Sequence, residues 1–252
     1  MTEPVMEGGS GPAPEASNPV ALMFGALIAP SETFGKVARR PVWLVPLIIY
    51  VLLSVVGTVL VMPKLDFESA VREQMEKSAQ AIDDAQLELI VSIQKPIVYA
   101  ASVFFIPFAI AVIAGVHMAG FRAFGGEGRF AQYFAVSTLA WMPLLVQSLI
   151  SQVVILTRKS ISIEQLQTAV VSNLGFLTSP IDNPARFALL SSIDVFSVWV
   201  IVLLVIGFGI VSKLPRAQAI GIVVAFWLIY VIGKTGMAAI GQMMQPGAGG
   251  GA

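Results

Sequence analysis

The chain has 252 residues, 56% of them hydrophobic and only 12% charged, with a formal net charge of +0. Soluble domains carry roughly 25% charged residues, and a mean hydropathy of +0.84 is too high for one water-soluble core, so the composition predicts a polytopic membrane protein. Zero net charge gives no global attraction to nucleic acid, and the absence of cysteine excludes disulfides, thiolate metal sites and cysteine nucleophiles.

Residues 1–20 are rich in Pro, Gly, Ser and Ala and have neither the basic start nor the apolar core of a signal peptide. They read as a disordered tail, and the first membrane helix is expected to act as its own uncleaved signal. Ala21 to Ala29 is apolar but too short to span, and Pro30 closes it. Ser31 then reads as the N-cap of a short helix through Phe34 and Val37 to Arg39. That segment is expected to lie on the membrane, with Lys36, Arg39 and Arg40 at head-group level.

A 21-residue uncharged run, 42–62, matches the length that a ~30 Å hydrocarbon core requires. Trp43 and Tyr50 suit interfacial depths, and Pro46 falls in the first turn. In residues 63–95, Phe67, Val71, Met75, Ile82, Leu89 and Ile93 recur near helical spacing among charged residues. This is an amphipathic helix or helical hairpin outside the bilayer. Its carboxylates lack a histidine or a fixed ligand spacing, so they read as a solvated face rather than a metal site.

The second span is expected at 97–121, kinked at Pro107, with Ala111, Gly115 and Ala119 forming a small-residue stripe for helix packing. Gly125, Gly126, Gly128 and Arg129 make a short turn; it resembles a phosphate loop in glycine content alone, since no strand precedes it. The third span, 133–156, is interrupted by Pro143 and carries Gln147, Ser148, Ser151 and Gln152, which need polar partners. In the next connection, Ala169 to Leu177 is apolar and short; it either docks on the outer surface or dips into the membrane. The fourth and fifth spans are expected at 188–211 and 218–241, and 242–252 is a flexible Gly-rich tail.

Five spans place the termini on opposite sides. Short connections holding Arg122, Arg129, Lys213 and Arg216, with Lys36, Arg39 and Arg40 ahead of the first span, indicate a cytoplasmic N-terminus and an outer C-terminus. Three ionisable residues fall in apolar runs. Asp194 and Lys234 count to similar depth on adjacent antiparallel helices, which predicts an ion pair; the alternative is that both reach the head groups separately. His117 lacks an acidic partner at its depth and reads as an interfacial or hydrogen-bonded structural residue rather than a proton relay. The templates for zinc proteases, nucleophile elbows, aspartyl dyads and nucleotide loops find no match. No enzyme, cofactor or metal is expected.

The entry APSETFGKVARRPVWLVPLI (Ala29 to Ile48), the passage FRAFGGEGRFAQYFAVSTLAWMPLL (Phe121 to Leu145) and five helices in this rhythm resemble the Yip (Ypt-interacting protein) domain family, especially its bacterial membrane branch. The resemblance covers most of 25–240. It implies a five-helix integral membrane protein with a cytoplasmic N-terminus, in a bacterial inner membrane. Eukaryotic relatives are non-enzymatic partners of small Rab-type GTPases. This chain has a short N-terminal tail and lacks their Asp-Leu-Tyr-Gly-Pro-type motif, so GTPase binding does not carry over. Two functions fit: a scaffold or interaction protein that contacts other membrane proteins or itself, or a small permease with a path lined by the second and third helices. An inverted repeat would favour transport, and the sequence holds none.

Overall fold

A computed structural model describes residues 18–77, 82–162, 165–166, 169–180 and 182–244. The two tails, for which disorder and flexibility are expected, lie outside the described residues apart from 18–20 and 242–244. The described chain is helical, and its extended pairing is limited to two isolated bridges. Five segments are long and apolar enough to cross a membrane: Leu44–Lys64, Asp84–Ala123, Phe130–Leu156, Val195–Ser212 and Arg216–Met243. In each, less than half of the most apolar window is buried within the protein, so lipid must cover the remaining apolar surface.

The chain enters through two short helices, α1 (Pro19–Ile28) and α2 (Pro30–Arg39). Asn18 caps α1 by accepting the Val20 N–H at 3.0 Å. Proline occupies the first position of each helix, where its missing N–H costs nothing. That is why α2 begins at Pro30, with Ala29 and not Ser31 at its cap. Ala29 is non-helical (φ −138°), and the chain folds back so that Gly25 faces Thr33; a Cβ on Gly25 would lie 3.8 Å from that of Thr33.

The apolar face of α2 is covered by protein. Phe34 and Val37 are fully buried against the rest of the bundle. Phe34 reaches the backbone of Gly207, where a Cβ would fall 3.2 Å from its ring. The amphipathic stripe that suggested a surface helix is satisfied by protein instead of head groups. Arg39 and Arg40 remain exposed at its end.

Helix α3 (Leu44–Val61) follows. Tyr50, expected near an interface, is buried, and its hydroxyl donates to the Thr138 carbonyl at 2.9 Å. Helix α4 (Phe67–Lys77) and the start of α5 (Asp84–Ala123) bury Phe67, Val71, Leu87 and Val91 around Met62. The reading as a helical hairpin is the one that fits. Asp83 and Gln86 form a capping box at the start of α5. From there α5 runs for 40 residues with Pro96 and Pro107 inside it, so the helix that carries the second span begins well before residue 97. A 40-residue helix is about 60 Å long, twice the hydrocarbon thickness, and its first part stands outside the bilayer.

The third run divides into α6 (Phe130–Ala140) and α7 (Met142–Leu156) at Trp141. Pro143 has no N–H to offer Leu139, which accounts for the break. The connection after α7 is tied to the one after α3: Ile161 N–H donates to the Lys64 carbonyl at 2.9 Å, and Lys64 Nζ donates to the carbonyls of Leu156 and Arg158. The fourth run divides into α8 (Pro184–Leu190) and α9 (Val195–Ser212). It is thus not one helix from 188. Helix α10 (Arg216–Met243) completes the fold. Inside the bundle, toward the end where α5 and α9 finish, Tyr133, Phe121, Phe208, Leu139 and Phe34 are all buried, and the rings of Tyr133 and Phe208 lie 5.1 Å apart.

Candidate functional site

The polar side chains gather at the two ends of the bundle. At the end where α5, α9 and α2 finish, Gly125 (φ +83°) and Gly128 (φ +100°) turn the chain between α5 and α6, in conformations that an L side chain resists. Four backbone donors of this turn, those of Gly125, Gly126, Glu127 and Arg129, are bonded within the protein. Gly125 N–H donates to Arg122 O, Gly126 N–H to Phe121 O, and Glu127 N–H to Ser212 O at 2.9 Å in the connection between α9 and α10. Arg122 donates to the Gly128 carbonyl, and the Tyr133 hydroxyl donates to that of Glu127. Exposed Lys213 and Glu127 pair at 2.7 Å. Arg129 N–H donates to Gln132, whose amide reaches the Ala38 carbonyl of α2. The turn therefore locks three connections together and keeps no N–H cradle for a phosphate.

The small-residue stripe lies nearby on α5. A Cβ on Gly115 would lie 4.0 Å from the Phe130 ring of α6; Ala111 is half-buried and Ala119 exposed. His117 is 7% exposed. Its Nδ1 donates to Ile113 O, its ring lies 4.9 Å from that of Phe208, and Nε2 has no partner among the described residues.

The opposite end holds the second assembly. Residues 172–174 run beside 193–195: Leu174 N–H donates to Ile193 O, and Val195 N–H to Ser172 O. The segment Ala169 to Leu177 thus docks against the break between α8 and α9. Asp194 is the N-cap of α9 and only 4% exposed. One oxygen accepts the Ser197 N–H at 3.0 Å; the other accepts from Gln147 Nε2 at 3.3 Å and from the Ser172 hydroxyl. A buried carboxylate is expensive unless it is hydrogen-bonded, and here three donors and the positive end of α9 oppose that cost. Gln147, marked by the sequence as needing a partner, finds it here.

Lys234 engages the same break through different residues. Its Nζ donates to the hydroxyls of Ser191 at 3.0 Å and Ser192 at 3.3 Å. No direct bond joins Lys234 to Asp194 among the ion pairs of the described residues. The depth argument treated Asp194 as a point on a helix starting at 188, whereas the break turns it into a cap. Beside Asp194 an open groove of about 440 Å³ is lined by Val171, Leu174, Phe176, Ile193 and Val198, with Ser172 and Asn173.

The sequence singled out Asp194 and Lys234 but not Ser172, Ser191 or Ser192. An Asp at the head of a mostly apolar run is an N-cap signature, the local signal for the break. Nothing local marked Glu127 and Lys213, whose contact depends on tertiary placement. Among the described residues no three His, Cys, Asp or Glu side chains converge to hold a metal.

A family model, the Yip1 domain, matches residues 24–236. No curated protein and no solved structure matches the chain. The matched stretch takes in most of the α1–α2 hairpin and both polar assemblies.

Proposed function

Because the chain belongs to the Yip1 domain family, we propose that it is a non-enzymatic membrane scaffold or interaction protein, set in a bacterial-type inner membrane with its N-terminus in the cytoplasm. The observation that carries this reading is the filled interior of the bundle. Ile110, Leu139 and Leu203 are buried near the middle of their spans, and Phe34, brought in by the hairpin, packs with Tyr133, Phe121 and Phe208 to close the interior at the end where α5 and α9 finish. A transport route needs polar or hydrated surface at mid-depth, and Gln147 is instead committed to Ser172 and Asp194.

The placement of basic residues supports the orientation. Lys36, Arg39, Arg40, Arg122, Arg129, Lys213 and Arg216 lie ahead of the first span and in short connections on one side, while the equal number on the other side, Lys64, Arg72, Lys77, Lys95, Arg158, Lys159 and Arg186, lie in long loops. The positive-inside rule acts most strongly through short connections, which makes the first side the cytoplasmic one. Large lipid-facing surfaces on α5 and α10 are available to other membrane proteins or a second copy. No GTPase partner is proposed.

An affinity pull-down from membranes, run beside solute uptake in a deletion strain, tests the reading. A stable protein partner with unaltered uptake is expected. A reproducible transport defect, complemented by the gene and unaccompanied by any partner, would overturn it.

A further inference from the structure

We propose that Lys234, held in place by Ser191 and Ser192, binds a phosphate-bearing anion at the far membrane surface, in the form of a phospholipid phosphodiester or a soluble phosphate. Lys234 lies 18 residues along α10 from Arg216, about 27 Å at 1.5 Å per residue. In a ~30 Å hydrocarbon core that is the depth where chains give way to head groups.

The polarity of the hydrogen bonds defines what the site does. The hydroxyls of Ser191 and Ser192 both donate to the Ala188 carbonyl, at 3.3 and 2.7 Å. Their lone pairs therefore face Lys234 Nζ and accept from it. This arrangement suits a protonated ammonium held by neutral acceptors. It is the wrong way round for a lysine drawing a proton from a serine nucleophile, so the trio is a binding site and not a catalytic dyad.

An ammonium has three donors, and two are assigned. Lys234 has no carboxylate within ion-pair distance among the described residues, and the oxygens of neighbouring Asp194 are occupied by Ser197, Gln147 and Ser172. A half-buried cation without a counter-charge is costly at this depth. A phosphate oxygen on the remaining donor supplies that charge. Arg186, exposed on α8 just ahead of the serines, adds a second cation on the same segment. Basic pockets among spanning helices hold anionic head groups on this principle.

The purified full chain would be titrated with phosphatidylglycerol, with a diacylglycerol of the same acyl chains, and with inorganic phosphate, bound ligand being read by native mass spectrometry. Phosphatidylglycerol is expected to bind and diacylglycerol not to. Lys234→Gln should weaken binding about ten-fold, the scale of one charge-assisted contact, and Lys234→Arg should restore most of it. If inorganic phosphate binds in the same Lys234-dependent way and the lipid does not, the soluble anion is the occupant. Binding of phosphatidylglycerol and phosphate that is unchanged in Lys234→Gln overturns the site. Should that variant not fold, Lys234→Met takes its place, with the same loss expected. Equal retention of diacylglycerol and phosphatidylglycerol by the wild-type chain also overturns it. The scaffold reading is unaffected by either failure, because it rests on the filled core and not on this surface.

Discussion

Replacing Gly128 with alanine should damage the protein far more than the same change three residues earlier. Both glycines have positive φ, +83° at Gly125 and +100° at Gly128, so each alanine meets a backbone penalty of about 1–2 kcal/mol. Their surroundings differ. Nothing lies within 4 Å of a Cβ on Gly125, whereas a Cβ on Gly128 would fall 2.6 Å from Val211 Cγ1 and 2.9 Å from Tyr133 Cε2. Both obstacles belong to packed helices, and Tyr133 and Val211 are buried, so neither moves freely. Overpacking of this kind adds about 1–3 kcal/mol. A difference of about 2 kcal/mol between the variants corresponds to roughly 4–8 °C in melting midpoint for a chain of this size. Intrinsic tryptophan fluorescence in detergent reads it directly, since the cysteine-free chain cannot report through a thiol dye. Gly128→Ala should melt below Gly125→Ala, and below wild type by more. Equal midpoints would refute the claim that the turn is wedged between α6 and the end of α9.

Other substitutions test separate parts of the account. Phe34→Ala should cost about 3–5 kcal/mol by opening a core cavity, while Phe24→Ala, on the 60% exposed face of α1, should change the melting midpoint little. Asp194→Ala should destabilise by about 1–3 kcal/mol through loss of a buried cap and its donors, and Asp194→Asn by less. The double reversal Asp194→Lys/Lys234→Asp is expected not to restore what either single change loses; rescue in a folded-protein assay would re-establish a direct pair. His117→Leu should cost about 1 kcal/mol, the scale of the single Nδ1 bond to Ile113 O that it removes, because Nε2 has no bond to lose; a loss well above that would assign Nε2 a partner.

The spanning segments were legible because lipid imposes a length and an apolar content that hydropathy reports directly. What escaped was every feature decided by tertiary partners. The stripe of Phe34 and Val37 looks the same whether head groups or neighbouring helices cover it, and only the close approach at Gly207 distinguishes them. Hydropathy also runs on through breaks. The apolar stretch from Ala188 hides the interruption at Ser191 to Asp194, and counting depth along it turned a capping carboxylate into a supposed ion-pair partner. Pro143 did mark a break, two residues beyond the one at Trp141. The Gly-rich turn was legible as a turn, but its grip on Ser212 and Lys213 joins residues some 85 positions apart and leaves no local trace.

The central claim is that α1 and α2 fold back on each other and deliver Phe34 into the bundle. The chain has no native cysteine, so Gly25→Cys/Thr33→Cys tests that geometry without background. The two Cβ positions lie 3.8 Å apart, within the roughly 3.5–4.5 Å span of a disulfide. In a continuous helix the same residues would be about 12 Å apart along the axis, beyond bridging. Oxidation in native membranes, read by intact mass, should give a near-quantitative intramolecular disulfide with the monomer still folded. Two persistent free thiols in folded protein would contradict the hairpin and, with it, the filled core on which the scaffold reading rests.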